Sequence, residues 1–261
     1  MNDVLDPRQL AVANRVLDEE SANRRHVVVS LSGAHAYGFP SPDSDLDLKA
    51  IHIVPTERLL GLSPPPPHAP DRIEVLDGVE VDYSSNDIQP ALAGILQGNG
   101  NFIERLLSRF VMRSSPEHES VREIVKRSLS RRLYRHYRGF GAGQLREWEK
   151  DGLRSAKKLL YVLRTTLTGT HALLTGEIET DVTLLIDAHG FSAARELVEA
   201  KRRGETSELP PEMAEHWRTT VVRAFEVLDS ALERSPLPDE PTNAPELEAW
   251  LVNARRRNLP P

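Results

Sequence analysis

The apolar positions of this chain change their period about half-way along it. Strand-like runs, alternating or continuous, occur at about 26–32, 46–54, 72–76 and 79–84. An apolar stripe before them predicts an amphipathic helix within residues 1–25, and Asn86 or Asp87 can cap another helix through about residue 97. From about residue 117 onward apolar residues recur at helical steps. We therefore predict an α+β fold, with an N-terminal mixed sheet and helices followed by a C-terminal α-helical bundle.

Proline-rich segments and the change of period indicate the domain boundaries. We expect a sheet domain over residues 1–115 and a helical domain over 116–235. Residues 236–261 then form a proline-rich linker and a short helix at about 244–256. A second proline-rich segment, residues 63–70, predicts an extended loop inserted at the edge of the sheet.

Composition excludes several classes of protein. The chain has 261 residues, 39% hydrophobic and 28% charged, which is typical of a globular protein. It has no cysteine, which excludes disulfides, a thiolate nucleophile and thiolate metal ligands. With no charged-then-apolar leader and no run of 18 apolar residues, we expect a cytoplasmic protein without a membrane partner.

The charge is unevenly distributed. The net charge is −6, yet residues 122–164 hold 13 Lys and Arg against 4 Asp and Glu. Such a basic block is typical of polyanion binding, although a solvated helical face has the same composition. Within it, Arg131–Arg138 is rich in arginine and contains two tyrosines that could stack on bases, so this segment is expected to contact a nucleic-acid backbone. An Arg-x4-His spacing from Arg131 to His136, seen in some ribonucleases, is a weaker signal.

Chemistry is indicated most clearly between residues 32 and 47. A turn that contains Gly33 follows the strand of Val27–Val29, and the next strand carries Asp45 and Asp47 two residues apart. Side chains at i and i+2 of a strand point to the same side. Two adjacent carboxylates repel each other unless a cation lies between them, so the pair is suited to Mg²⁺ and a triphosphate. The alternative is a solvated edge strand or a turn cap, positions that Asp and Ser also favour.

The order of strand, glycine turn and Asp-x-Asp strand resembles the DNA polymerase β-like nucleotidyltransferase superfamily. The fuller string Ser-Gly-Ala-His-Ala-Tyr-Gly, followed by Ser-Asp-Leu-Asp, is similar to its predicted nucleotidyltransferase branch associated with RNA repair. The resemblance covers roughly residues 26–235, but only the segment from Gly33 to Asp47 is specific. It implies a polymerase β-like nucleotidyltransferase domain at the N-terminus and an active site between that domain and the helical one.

The resemblance implies a catalytic set and a reaction. Asp45 and Asp47 would be metal ligands, and a third carboxylate would come from a neighbouring strand. Asp82 is our candidate for it, with Glu80 as the fallback. Two Mg²⁺ ions, or Mn²⁺, would assist transfer of a nucleoside monophosphate from an NTP to a hydroxyl, with release of pyrophosphate. An RNA end is the first choice of acceptor. The alternatives are a small-molecule or protein hydroxyl, or a catalytically silent nucleotide- or RNA-binding protein.

Binding of the NTP is assigned to two groups of residues. The first lies in and after the glycine turn: Ser32, Gly33, Ala34, His35 and Ser44. The chain has Ala34 where the superfamily often has Ser, and His35 where relatives often have Arg, which predicts weaker or pH-dependent affinity for triphosphate. The second group, Lys157, Tyr161 and Arg164, follows one stripe of a helix predicted over about 151–175. There the alternative is a partly buried Tyr161 and charges that face water.

Overall fold

A computed structural model of the chain describes residues 4–204 and 208–259. The predicted helix over residues 1–25 begins at Pro7, and its first three positions lie outside the described residues. Among the described residues, 59% are helical and five strands form one mixed sheet, which confirms the predicted α+β fold. No helix in this part of the chain has both the length and the apolarity that crossing a bilayer requires.

The strands are β1 (Arg25–Leu31), β2 (Leu46–Ile53), β3 (Arg72–Leu76), β4 (Val79–Asp87) and β5 (Val111–Ser114). The longer helices are α1 (Pro7–Asn23), α4 (Ile88–Leu96), α5 (Gly100–Leu107), α6 (Pro116–Arg127), α7 (Leu133–Lys150), α8 (Ala156–Thr175), α10 (Arg195–Arg202), α11 (Ala214–Arg234) and α12 (Ala244–Arg257). The shorter ones are α2 (Gly33–Tyr37), α3 (Thr56–Leu59) and α9 (Val182–Ala188), with 3₁₀ turns at Ser192–Ala194 and Pro211–Met213.

The chain divides into two compact units. The sheet unit comprises Met1–Gly33, Asp45–Leu129 and Pro241–Pro261, and the helical unit comprises Ala34–Ser44 and Ser130–Glu240. The segment that follows the glycine turn, Ala34–Ser44, is thus part of the helical unit. Whether the stretches 1–115, 116–235 and 236–261 behave as separate domains stays a prediction.

The sheet unit is organised around β1 and β2. The strand order is β3-β4-β2-β1-β5, and β2 and β4 are parallel whereas the other pairs are antiparallel. Val27, Val28 and Val29 of β1 are all buried, as expected for a β-branched run inside a sheet. On β4 the odd-numbered residues are buried and Asp82 is half-buried, so the predicted alternation is confirmed.

The helical unit packs around α8. This helix contacts α7, α9, α10 and α11, and 14 of its 20 residues are buried. Ser155 caps its N-terminus by accepting a hydrogen bond from the Lys158 amide, and Gly176 ends it with a left-handed residue. A helix that is buried nearly all round holds its neighbours in place from the centre of a bundle.

One sequence prediction about these elements was wrong, and one strand was not predicted. Helix α8 begins at Ala156 rather than near residue 151, because Leu153 has a positive φ of 64° and cannot continue a helix. The strand β5 was missed, because four residues carry too little periodicity to be recognised, and its place is defined by pairing with β1.

Candidate active site

Two carboxylates lie side by side at one end of the sheet unit. Asp47 of β2 and Asp82 of β4 are register partners in the parallel pair, so their side chains share a face. The ammonium of Lys49, two residues after Asp47 and on the same face, lies 2.8 Å from Asp82 Oδ2 and 3.7 Å from Asp47 Oδ1. The pair therefore attracts a cation, as two close carboxylates must.

Lys49 is a functional candidate that sequence reasoning missed. The i, i+2 rule that placed Asp45 beside Asp47 also places Lys49 beside Asp47, so a signal was present. Its side chain is only 17% exposed, which strengthens its attraction to both carboxylates. Arg105 of α5 continues the same polar face, because its guanidinium donates to Asn86 Oδ1 at 2.7 Å and approaches Ser84 Oγ at 3.5 Å.

Gly33 brings the turn against Asp47. Its φ is +59°, a conformation that disfavours other residues, and a Cβ built on it would lie 1.8 Å from Asp47 Oδ2. The adjacent Ser32 amide donates a hydrogen bond of 3.0 Å to the Asp47 carbonyl. Glycine at position 33 is therefore a direct consequence of how closely the turn approaches this carboxylate.

The structure brings two of the three predicted carboxylates together. The structure brings Asp47 and Asp82 together, and Asp45 comes one residue before β2 begins. Glu80, the fallback ligand, is exposed and pairs in register with Val75. Within residues 4–204 and 208–259, no three His, Asp or Glu side chains form a ready-made metal site. The ligand roles of Asp45, Asp47 and Asp82 stay predictions.

The segment after Gly33 is held by buried groups of the helical unit. Ala34 and His35 are buried, and Thr180 Oγ1 donates to the Ala36 carbonyl at 3.0 Å. The guanidinium of Arg164 lies 3.7 Å from the centre of the Tyr37 ring, and Tyr161 packs its ring edgewise on Tyr37 at 5.7 Å. These contacts fix Tyr161 and Arg164 against the short helix α2.

Ser44 lies in a buried polar cluster. Its hydroxyl is 3.0 Å from that of Ser41, and the fully buried Lys201 donates from Nζ to Ser41 Oγ at 2.6 Å. Lys201 also lies 3.4 Å from Ser44 Oγ. These hydrogen bonds hold the turn that precedes Asp45 in place. No sequence signal could have found Lys201, which lies about 160 residues from its partners.

The predicted nucleotide-binding residues of α8 therefore differ in accessibility. Lys157 and Tyr161 line a pocket of about 640 Å³ in the helical unit, beside Phe140, Gln144 and Lys158. Arg164 is only 5% exposed and stacked on Tyr37, which favours a structural role. Binding of NTP by Ser32, Gly33, Ala34, His35, Ser44, Lys157, Tyr161 and Arg164 stays a prediction.

Acidic partners neutralise part of the basic block over residues 122–164. In the helical unit, Arg131 pairs with Asp239, Arg132 with Glu240 and Arg138 with Asp229. The residues predicted to form a linker thus contribute two carboxylates, and the Pro238 carbonyl accepts from the Arg131 amide at 2.8 Å. The Tyr134 hydroxyl donates to Asp229, and Tyr137 is fully buried, so the prediction that Tyr137 could stack on a base was wrong.

Comparison with known proteins identifies the family. The model of the RlaP family, described as the RNA repair pathway DNA polymerase β family, matches residues 12–253. The chain belongs to the RlaP family. The resemblance inferred from the Gly33 to Asp47 segment is thereby confirmed, and the family supports a nucleotidyltransferase of the polymerase β type.

The chain is also similar to two individual proteins. It is 29% identical over 229 residues to uncharacterized protein MJ0002 of Methanocaldococcus jannaschii, covering 85% of this chain and 91% of the relative. A solved nucleotidyltransferase-like protein from Exiguobacterium sibiricum shares 10% identity and a TM-score of 0.35, over 95% of this chain and 80% of the other. Membership of the RlaP family rests on the match of the family model over residues 12–253.

Proposed function

We propose that this protein transfers a nucleoside monophosphate from an NTP to a hydroxyl group, with an RNA end as acceptor, and releases pyrophosphate. One observation carries the proposal: Asp47 and Asp82 are register partners with a cationic group held between them. The RNA acceptor is supported by the description of the family as an RNA repair polymerase β family.

The donor set fits Mg²⁺ or Mn²⁺. Mg²⁺ in phosphoryl-transfer sites is commonly bound by one or two carboxylates, together with substrate phosphates and water. Asp47 and Asp82 supply two adjacent carboxylates, and the Lys49 ammonium shows that their field stabilises a cation. Asp45, Asp47 and Asp82 would hold the metal. When bound, it would neutralise the triphosphate and lower the pKa of the attacking hydroxyl, in the two-ion arrangement that the resemblance implies.

The residues of the chain have positioning and electrostatic tasks in this reaction. Gly33 allows the turn to approach Asp47 without a side chain in between, so phosphate oxygens can reach backbone N–H groups there. Lys49 pairs with both carboxylates through its ammonium, at the position where they would hold a metal. Lys157 and Tyr161, in the pocket of the helical unit, provide a cation and an aromatic ring for the nucleotide.

RNA binding would use the cations of the basic block that are not neutralised. Among the described residues, Arg135, Arg146 and Arg154 make no ion pair, in contrast to Arg131 and Arg132. Phosphate contacts by such residues give sequence-independent, salt-dependent affinity. The proposal therefore assigns the RNA backbone to these three arginines rather than to the whole block.

One observation favours a second candidate, a catalytically silent nucleotide- or RNA-binding protein. The Lys49 ammonium already pairs with both carboxylates and offsets one of their two negative charges, which lessens the need of the fold for a metal. A small-molecule or protein hydroxyl as acceptor is the other variant of the enzymatic proposal. Both alternatives are outcomes of the experiment below.

The experiment measures pyrophosphate release with Mg²⁺, each of the four NTPs in turn, and a pool of small RNAs. The proposal predicts release that requires RNA, that one or more NTPs support, and that Asp47→Asn abolishes. Release without RNA would favour another acceptor. Absence of release under every condition, with nucleotide still bound, would favour the silent binding protein.

A further inference from the structure

A second pocket lies at the opposite end of the sheet unit from Asp47. It has a volume of about 670 Å³ and is lined where β1 begins, where β2 ends, and by the proline-rich loop over residues 63–70. Four arginines and three histidines line it, and no Asp or Glu does. We call it the Arg–His pocket. In a chain of net charge −6, a pocket with this lining is an anion site by composition.

The arginines of the Arg–His pocket have unused capacity to bind an anion. Arg24 contacts Glu20 at 3.0 Å through Nη2, but its buried Nη1 has no hydrogen-bond partner among the described residues. Arg58, on α3, is exposed and makes no ion pair within the same residues. A buried guanidinium N–H without an acceptor is costly, and a ligand oxygen in the pocket would remove that cost.

The other two arginines are oriented by acidic groups outside the lining. Arg25 pairs with Glu117, and Arg113 pairs with Asp18 at 3.2 Å. The four guanidinium groups come from separate elements: the end of α1, β1, α3 and β5. Donors that converge on one pocket from several elements are suited to a compact anion, whereas a strip along one helix is suited to an extended backbone.

Two of the three histidines lie on the sheet, where hydrogen bonds hold their rings. His26 Nε2 lies 2.7 Å from the Tyr83 hydroxyl, and His52 Nδ1 lies 2.7 Å from Ser85 Oγ. Burial lowers the pKa of both, that of His26 to about 4, so these two histidines contribute little positive charge near neutral pH. Pro65, Pro66 and Pro70 supply an apolar surface opposite.

The size and lining define the ligand. Pockets of roughly 300–1,000 Å³ hold small molecules or single ligand groups. An anionic group on a flat, partly apolar body fits converging arginines beside prolines. We propose that the Arg–His pocket binds a terminal phosphate carried on a nucleoside, that of a free nucleotide or of an RNA 5′ end. Ile53 lies six residues beyond Asp47 on β2, about 20 Å away at the usual strand rise, so this is a separate site.

The test compares two RNA oligonucleotides of one sequence, one with a 5′ phosphate and one with a 5′ hydroxyl. Binding is measured by fluorescence anisotropy in EDTA, so that no divalent metal takes part. We expect the phosphorylated RNA to bind at least about tenfold more tightly. Equal affinity of the two RNAs would overturn the proposal, whatever the result of the nucleotidyl-transfer assay.

Two double variants test whether the preference for a 5′ phosphate arises in the Arg–His pocket. Arg58→Gln with Arg113→Gln removes two guanidinium groups from the pocket and leaves the buried Arg24 in place. Arg195→Gln with Arg218→Gln is the matched control, since both arginines are exposed and ion-paired in the helical unit. The pocket variant should lose the phosphate preference and the control should keep it. A folded pocket variant that retains the preference would overturn the proposal.

Competition on the unaltered protein distinguishes the sources and does not depend on the folding of a variant. Adenosine monophosphate that displaces the phosphorylated RNA, where adenosine does not, supports a free nucleotide as one source. Displacement by longer phosphorylated RNA alone supports an RNA end. Two results together would show that the pocket does not recognise phosphate. Adenosine would compete as strongly as adenosine monophosphate, and the longer RNA would compete equally with and without its 5′ phosphate.

Discussion

The two ends of the sheet unit carry opposite charges on the same strands. At one end, Asp47 and Asp82 face each other with one lysine between them. At the other end, β1 begins and β2 finishes among four arginines and three histidines. One strand can carry a carboxylate where it begins and finish in a basic pocket, because the loops and neighbouring elements differ at its two ends. One end is built to hold a cation and the other an anion.

Removal of a carboxylate at the acidic end should have the largest effect on the proposed reaction. We expect Asp47→Asn to lower the rate of nucleotidyl transfer by at least about 100-fold, because the metal would lose a charged ligand. Single-turnover measurement of pyrophosphate release provides the number. The pocket variant Arg58→Gln with Arg113→Gln should leave this rate within a few-fold, since it changes the basic end only.

Asp82→Asn sharpens the assignment within the acidic end. If Asp82 binds only the metal on the side of the attacking hydroxyl, its loss should lower turnover far more than NTP affinity. Turnover and the Kd for a labelled NTP are measured on the same preparation. An equal loss of affinity and turnover would count against this role.

The close approach of the turn to Asp47 can be disrupted by one methyl group. Gly33→Ala places a Cβ against Asp47 Oδ2 and forces alanine into a left-handed conformation, which costs roughly 1–3 kcal/mol of folding free energy. We expect a loss of activity of about tenfold or more, together with a lower free energy of unfolding from urea titration.

A matched glycine distinguishes this effect from a general response to alanine. Gly139 lies inside α7, and a Cβ on it would meet nothing within 4 Å. Gly139→Ala should therefore be neutral or stabilising by about 0.5–1 kcal/mol. Full activity in Gly33→Ala would show that the turn does not need to approach the carboxylate.

Lys49→Met tests whether its ammonium occupies the position of the metal. Without the competing cation, affinity for Mn²⁺ should rise by roughly tenfold, or about 1.4 kcal/mol. Calorimetric titration in the absence of NTP measures it. Lys150→Met is the control, because among the described residues this lysine pairs only with the exposed Glu147. Unchanged affinity would mean that Lys49 and the metal do not compete.

The smallest expected effect belongs to the basic end and concerns stability against pH. Burial lowers the pKa of His26 in the folded protein to about 4, below the value near 6.5 of an unfolded histidine. Between about pH 4 and pH 6.5 the unfolded chain binds a proton on this histidine that the folded protein does not. The contribution to stability is therefore full above about pH 6.5 and is lost as pH falls toward 4.

His26→Gln should remove that part of the pH dependence. Between pH 7 and pH 5 the unaltered protein should lose roughly 1 kcal/mol more free energy of unfolding than the variant does. The figure is modest because His26 is partly exposed. Urea titrations of both proteins at the two pH values measure it. An identical pH dependence in the variant would contradict the lowered pKa of His26 in the folded protein.

The sequence predicted the sheet better than the helices because the sheet has a two-residue period and a specific motif. The alternation of β4 placed Asp82 on the face opposite Val81 and Tyr83, and the burial pattern confirms it. The start of α8 was wrong, since a left-handed Leu153 has no signature in the sequence. Helical periodicity says which positions are apolar but not where the backbone conformation changes.

The site could be predicted only as far as local spacing reaches. The pairing of Asp47 with Asp82 follows from motif and alternation, whereas Lys201 and the four arginines of the second pocket come together from distant parts of the chain. The same limit applies to charge. The excess of arginine over residues 122–164 was visible, but its neutralisation by Asp229, Asp239 and Glu240 depends on tertiary contacts.

The measurement that tests the central claim most directly follows an α-phosphate-labelled NTP into RNA with Mg²⁺. The account predicts that label is joined to RNA with a free 3′ hydroxyl, is absent from RNA with a 3′-deoxy end, and is lost with Asp47→Asn. Labelled RNA formed equally well by Asp47→Asn would contradict the assignment of the acidic end as the active site. No labelled product with any of the four NTPs would contradict nucleotidyl transfer to RNA.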